Sequence, residues 1–234
     1  DPPDRVGLAA IAMELIRSGG IRDKSGDEMD QILDNMGASI ETSVDETSAS
    51  ISATCLPQDA PVILGYIDQM LRDPALAQDK LDLIKTQMRS AISRRNDNPA
   101  QIADREFQRQ VYGENSPYAR QFEYAHLDRI TRDDVAAFCR RYFQPDFIHF
   151  GCWGDFQTPE TKALAEKLFG NWKGDGRPAP AFPAVTATPA ASIRLVVKND
   201  VNQSNIRLGH LGITMDNPDY FAVEMMNSIF GSNG

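Results

Sequence analysis

The chain has 234 residues, of which 41% are hydrophobic and 24% are charged, proportions typical of a globular protein with one large domain or two smaller ones. Its formal net charge of −9 argues against a nucleic-acid partner, because an acidic surface repels phosphate backbones. No apolar run approaches the ~20 residues that a membrane-spanning helix needs, so we expect no membrane span.

The N-terminal quarter predicts two helices followed by a hairpin. Residues 6–16 are rich in Ala, Leu, Ile and Met, which favours a buried helix. Residues 25–36 predict an amphipathic helix in which Ser25 and Glu28 form a capping box. Over residues 39–56, apolar and polar side chains alternate on both sides of a short turn, which predicts a hairpin with one buried face.

The middle of the chain is mostly helical in pattern. A loop is predicted at 113–124, and a short apolar run at 147–154 predicts a strand that shares a sheet with the hairpin. The order of elements is not an alternating doubly wound one, so the predicted fold class is α+β, with an antiparallel sheet packed by helices. Helices are predicted at 60–71, 77–95, 99–112, 131–142 and 159–169.

A segment rich in Pro and Ala marks the predicted domain boundary. The first domain is expected at 1–176, an extended linker at 177–191 and the start of a second, similar domain at 192–234. In this last segment, strands are predicted at 193–197 and 205–213 and a helix at 217–230.

Residues that could carry hydrolytic chemistry are sparse. His149 and His210 lie in predicted strands and His126 opens a polar loop, and none is spaced from another ligand as H-E-x-x-H or H-x-x-E-H requires. The sequence contains neither a G-x-S-x-G elbow nor a phosphate-binding G-x-x-x-x-G-K-[ST] loop. An odd number of widely spaced cysteines (Cys55, Cys139 and Cys152) argues against a disulfide framework and a Cys-rich zinc site.

Several stretches, in order, resemble the insulinase or pitrilysin family of inverted zincins, which includes the mitochondrial processing peptidases. Gly-Leu-Ala-Ala-Ile-Ala-Met-Glu-Leu at 7–15 resembles the helix that carries the family's zinc motif. The similarity continues through Leu-Asp-Asn-Met-Gly-Ala at 33–38, Asp-Asn-Pro at 97–99 and Tyr-Phe-Gln-Pro-Asp at 142–146. Leu-Gly-His-Leu-Gly at 208–212 resembles the start of the family's second domain.

The resemblance implies a zinc site whose ligands this chain lacks. The family's motif H-x-x-E-H would place its first His at Ala10, its Glu at Met13 and its second His at Glu14, and a further ligand near Gln87. Ala and Met give a zinc ion neither a ligand nor a base, and one carboxylate is not a site. We therefore expect no metal, no cofactor and no catalytic residue here, and zinc only in active relatives.

Two functions remain open from the sequence. In the first, the chain is a non-catalytic partner that helps to bind a peptide or protein substrate, paired with a zinc-bearing homologue or with a second copy of itself. In paired members of the family, the zinc-less subunit supplies a substrate-binding Arg and Tyr, which would lie beyond Gly234. The alternative is a structural scaffold of the same fold. The compartment stays open, and periplasm and cytoplasm are both compatible.

Overall fold

The computed structural model describes residues 1–186 and 190–232, and the chain forms two compact units. Unit 1 consists of residues 1–97 and 120–184, and unit 2 of residues 98–119 and those from 185 onward. The strands are β1 (Ser39–Val44) and β2 (Ala49–Thr54). The helices are α1 (Leu8–Ser18), α2 (Gly26–Met36), α3 (Ala60–Arg72), α4 (Gln78–Arg94), α5 (Pro99–Tyr112), α6 (Tyr124–Arg129), α7 (Arg132–Tyr142), α8 (Thr158–Phe169) and α9 (Tyr220–Asn227).

Helix α1 is the centre of unit 1. Ile11, Ala12, Leu15 and Ile16 have 0% of their surface exposed, because α1 packs against β1, α4 and α7 on different sides. Its position in the middle of the core explains why the sequence of this helix is apolar around most of its circumference.

Helix α2 begins with the predicted capping box. The amide of Glu28 donates to the hydroxyl of Ser25 at 3.3 Å, and the amide of Ser25 donates to the Glu28 carboxylate at 2.8 Å. The two contacts satisfy backbone donors that a helix start otherwise leaves unpaired.

The hairpin is confirmed in antiparallel register, with Ile40 opposite Ala53 and Thr42 opposite Ile51. Ile40 is fully buried beneath α1, whereas β2 is largely exposed. A small antiparallel sheet packed by helices is the predicted α+β class, which is therefore confirmed.

Three predicted strands are wrong. In the described residues the sheet contains only β1 and β2, and the segments 148–154, 193–197 and 205–213 belong to no strand. Ile193 and Leu208 are 98% and 97% exposed. A strand exists only when its backbone groups pair with a neighbour, and β-forming residues without such a neighbour stay extended but unpaired.

The helical predictions differ from the structure at a few points. Helix α6 covers a segment for which no helix was predicted, so His126 lies in a helix and not in a polar loop. A 3-10 turn, Pro145–Phe147, occupies the start of the predicted strand at 147–154. The predicted helix at 217–230 consists of α9 followed by a π-helical turn, Ser228–Ser232.

Unit 2 is organised around α5, on which the C-terminal segment lies. The Arg194 guanidinium pairs with the buried Glu106 carboxylate at 2.7 Å, and Gln110 donates to the Ser192 hydroxyl at 2.6 Å. Helix α5 falls within the predicted first domain but packs with residues from 185 onward, because these polar contacts join them. The boundaries 1–176, 177–191 and 192–234 stay a prediction.

The described part of the predicted linker, 177–186 and 190–191, has no regular secondary structure, and residues 187–189 lie outside the described residues. Within residues 1–186 and 190–232, every helix is too short or too polar to traverse a lipid bilayer.

Candidate functional site

The motif positions that the resemblance assigns to zinc ligands and base lie in two different environments, three of them on α1 and the fourth on α4. Ala10 and Glu14 are exposed and lie one turn apart on the same side of α1, as their spacing of four residues dictates. Met13 is only 3% exposed and belongs to the core. Gln87 is exposed on α4, which packs against α1. The structure therefore brings Ala10 and Glu14 together and separates Met13 from them, and the placement of Gln87 beside them stays a prediction.

The residues at these positions do not fit a zinc ion. Zinc takes four nitrogen, sulfur or oxygen ligands in a tetrahedron. Here Ala10 offers a methyl group, Met13 is turned into the core, and Glu14 alone offers a carboxylate. Among the residues that the structure describes, no group of three or more His, Cys, Asp or Glu side chains could hold a metal ion.

The exposed side of α1 continues to Arg17, seven residues beyond Ala10. The Arg17 Nε donates to the backbone carbonyl of Ile40 in β1 at 2.6 Å, and its Nη2 pairs with the Asp30 carboxylate of α2 at 2.7 Å. A helix rises 1.5 Å per residue, so Glu14 lies about 4.5 Å and Ala10 about 10.5 Å from Arg17 along the axis. The exposed side of α1 that carries Ala10 and Glu14 therefore also carries, in Arg17, the side chain that contacts β1.

The hairpin's hydrogen-bond pattern shows which backbone groups of β1 point away from β2. The amide of Asp45 donates to the carbonyl of Ser48 at 2.9 Å, which makes these two residues a hydrogen-bonded pair. Hydrogen-bonded and non-hydrogen-bonded pairs alternate in an antiparallel ladder. In this register the residues of β1 whose backbone groups point away from β2 are Ile40, Thr42 and Val44.

The contact between Arg17 and Ile40 agrees with this assignment, since it shows the Ile40 carbonyl on the outer edge of β1. In the part of the chain that the structure describes, the outward backbone groups of Thr42 and Val44 have no hydrogen-bond partner. An unpaired strand edge of this kind can accept another extended chain.

The turn of the hairpin gives this edge a negative charge. Asp45 accepts hydrogen bonds from the backbone amides of Thr47 and Ser48 and from their hydroxyls. These bonds, the Thr47 amide first, lower the pKa of the Asp45 carboxyl to about 2. Asp45 is therefore ionised throughout the physiological pH range, next to Glu46.

Two of the three cysteine thiols are harder to ionise than a free thiol. Burial raises the pKa of the Cys139 thiol to about 12, so that it stays protonated and unreactive. Burial, then the neighbouring Asp59 and Cys152, raise the pKa of the Cys55 thiol above its usual value.

Sequence reasoning missed both the open edge of β1 and the contact of Arg17 with Ile40. The spacing of 10, 14 and 17 places Arg17 on the exposed side of α1, but the sequence carries no signal that it reaches Ile40. The edge itself follows from the alternation of the hairpin once the register is known.

A family model described as Peptidase M16 inactive domain matches residues 129–234. None of the curated proteins matches the sequence. Over 99% of this chain and 56% of the other, the fold resembles a peptidase M16 inactive domain from Pseudomonas fluorescens, with a TM-score of 0.77 and 22% identity. The periplasmic protease PqqL from Escherichia coli is similar over 82% of this chain and 21% of its own, with a TM-score of 0.69 and 17% identity.

A protease from Helicobacter pylori is similar over 78% of this chain and 44% of its own, with a TM-score of 0.61 and 17% identity. The chain spans about half the length, or less, of these three solved structures. The resemblance to the insulinase or pitrilysin type is thereby confirmed: residues 129–234 match the model of the peptidase M16 inactive domain, and the chain has the fold of M16 peptidase-like proteins.

Proposed function

We propose that the chain is a non-catalytic M16 homologue that holds an extended peptide along the outer edge of β1 for cleavage by a zinc-bearing homologue. The observation that carries the proposal is the juxtaposition, through Arg17, of an open strand edge and the side of α1 that exposes Ala10 and Glu14, the positions at which the resemblance expects zinc ligands. Peptide can be held at this place, but the residues that would activate water are absent from it.

Backbone pairing accounts for the kind of ligand that this edge selects. The outward amides and carbonyls of Thr42 and Val44 match those of any extended chain, whatever its sequence. A folded protein seldom offers such a segment, because its own backbone groups are already paired. The expected ligands are therefore unstructured peptides or unfolded segments of a protein substrate.

The family match supports a catalytic partner in place of catalysis by this chain. The matching family model describes an inactive domain, and the degenerate positions supply one carboxylate where a zinc site needs a set of ligands. Cleavage would then depend on a homologue that retains H-x-x-E-H, and peptide binding by this chain would be measurable without it.

A pair of proline substitutions tests the edge. Thr42 and Ala53 both direct their amides away from the hairpin interior, but on opposite edges, so Pro at either position removes no hairpin hydrogen bond. We expect Thr42→Pro to abolish binding of fluorescein-labelled casein peptides in fluorescence polarisation and Ala53→Pro to preserve it. Equal loss in both variants, or in neither, would show that the outer edge of β1 is not the binding site.

Co-purification tests the partner. If the proposal holds, affinity purification of the tagged chain from its native host recovers a homologue with an intact H-x-x-E-H motif. Recovery of unrelated structural components without such a homologue would favour the scaffold function instead.

A further inference from the structure

We propose that Arg17 is a positioning residue that closes the edge of β1 at Ile40 and so fixes where a bound peptide begins to pair. This inference rests on the proposed function, since it concerns the peptide held at that edge. It assigns a role to a residue outside the motif positions.

Arg17 is held in place from two sides. Its Nε contacts the Ile40 carbonyl at 2.6 Å and its Nη2 contacts Asp30 at 2.7 Å, so the planar guanidinium joins α1, β1 and α2. The side chain is 18% exposed, although it lies on the outward side of α1. Because the planar guanidinium is bound at two points, the Arg17 side chain has little rotational freedom.

This contact blocks the strand edge at Ile40. The carbonyl of Ile40 is one of the outward groups of β1, and a charged guanidinium already donates to it. Because the guanidinium lies against this carbonyl on the side that faces away from β2, it occupies the place where an added strand would run and keeps a peptide from both outward groups of Ile40. An added strand therefore finds its first available outward groups at Thr42 and the next at Val44.

The contact therefore limits the residues of β1 with which a peptide can pair, and we call these residues the pairing frame. With Ile40 closed, the peptide pairs at Thr42 and Val44 only, and its register relative to α1 is set by where the frame begins. The same contact prevents the peptide from continuing along the strand past Arg17. Without Arg17, the frame would extend by one outward residue, to Ile40.

Amide hydrogen exchange measured by NMR tests the frame, with fluorescein-labelled casein peptides as the probe. In the wild-type chain, bound peptide should slow exchange at Thr42 and Val44 and leave Ile40 unchanged. In Arg17→Met, which keeps the aliphatic stem, the protection should extend to Ile40. Pairing at Ile40 adds two backbone hydrogen bonds, from its amide and to its carbonyl, and should also lower the Kd by roughly five- to hundredfold.

Two further variants keep the test sharp. Arg22→Met is the matched control, because Arg22 pairs with Asp73 and not with the hairpin, and it should leave the frame unchanged. Asp30→Ala removes only the second anchor of Arg17 and should give partial protection of Ile40, which covers the case in which Arg17→Met does not fold.

The outcomes separate this inference from the proposed function. Protection of Thr42 and Val44 with identical behaviour of Ile40 in the wild type and in Arg17→Met would overturn the role of Arg17 alone. No protection of Thr42 or Val44 in any variant would overturn peptide binding at this edge, and the inference with it.

Discussion

Restoring the family's Glu at Met13 should destabilise the fold, because the structure turns this position into the core. Met13 is 3% exposed. Burial of a methionine side chain stabilises a protein by about 1.5–3 kcal/mol, part of which a glutamate would lose. Buried glutamates reach pKa values of roughly 8–9 and are then neutral at pH 7.

Most of the expected loss of stability comes from the charge of the introduced glutamate. A glutamate that is ionised in the unfolded chain, with a pKa of about 4.3, must take up a proton on folding at pH 7, which costs about 4 kcal/mol at 1.36 kcal/mol per pH unit. With the lost packing, Met13→Glu should lower the free energy of unfolding by about 4–6 kcal/mol. That is a large part of the roughly 5–15 kcal/mol that holds most domains folded.

The effect should depend on pH in a defined direction. A folded-state pKa above the unfolded value means that the variant is least impaired below about pH 4.3 and loses stability as pH rises towards the folded pKa. Met13→Gln, which is similar in size but cannot ionise, should show a smaller defect without this pH dependence. Ala10→His and Glu14→His lie on the exposed side and should change stability by about 0.5 kcal/mol or less.

Urea unfolding followed by circular dichroism at pH 5 and pH 8 measures these differences. Equal stability of Met13→Glu and Met13→Gln at both pH values would refute the placement of Met13 in the core.

Three further predictions concern other parts of unit 1. Gly26→Ala should lower the urea midpoint, because a Cβ there would lie 1.8 Å from a backbone oxygen. At Gly65 a Cβ would have nothing within 4 Å, so Gly65→Ala should stabilise α3 by up to about 1 kcal/mol. An NMR titration of Asp45 should give a midpoint near 2; since this pKa is lowered, its stabilisation of the hairpin is present above about pH 4 and is lost as pH falls through 2, and Asp45→Asn should abolish that dependence. A thiol reagent should label the exposed Cys152 in the native chain but Cys139 only after unfolding, and labelling of both at equal rates would contradict the burial of Cys139.

Elements defined by local signals were the ones that the sequence predicted well. The capping box of Ser25 and Glu28 and the period-two alternation of the hairpin depend on residues a few positions apart, and both are confirmed. The strands predicted at 147–154, 193–197 and 205–213 failed because β structure depends on a distant partner. The local composition of a segment favours extension but does not supply that partner.

Some features of the candidate site likewise follow from local sequence, and others depend on distant residues. Helical periodicity places Ala10, Glu14 and Arg17 on one side of α1, which the sequence alone predicts. The contact of Arg17 with the carbonyl of Ile40 joins residues 23 positions apart, and no local pattern encodes it. The direction of the backbone groups of β1 likewise follows only from the register with β2.

The central proposal, that this chain has no catalytic activity of its own, is tested most directly by one measurement on the purified protein. Zinc content by mass spectrometry and cleavage of casein peptides should be determined together, with and without a chelator and in the absence of any homologue. The account predicts no stoichiometric zinc and no chelator-sensitive cleavage, because Ala10, Met13 and Glu14 do not make a zinc site. Stoichiometric zinc together with chelator-sensitive cleavage by the chain alone would contradict it.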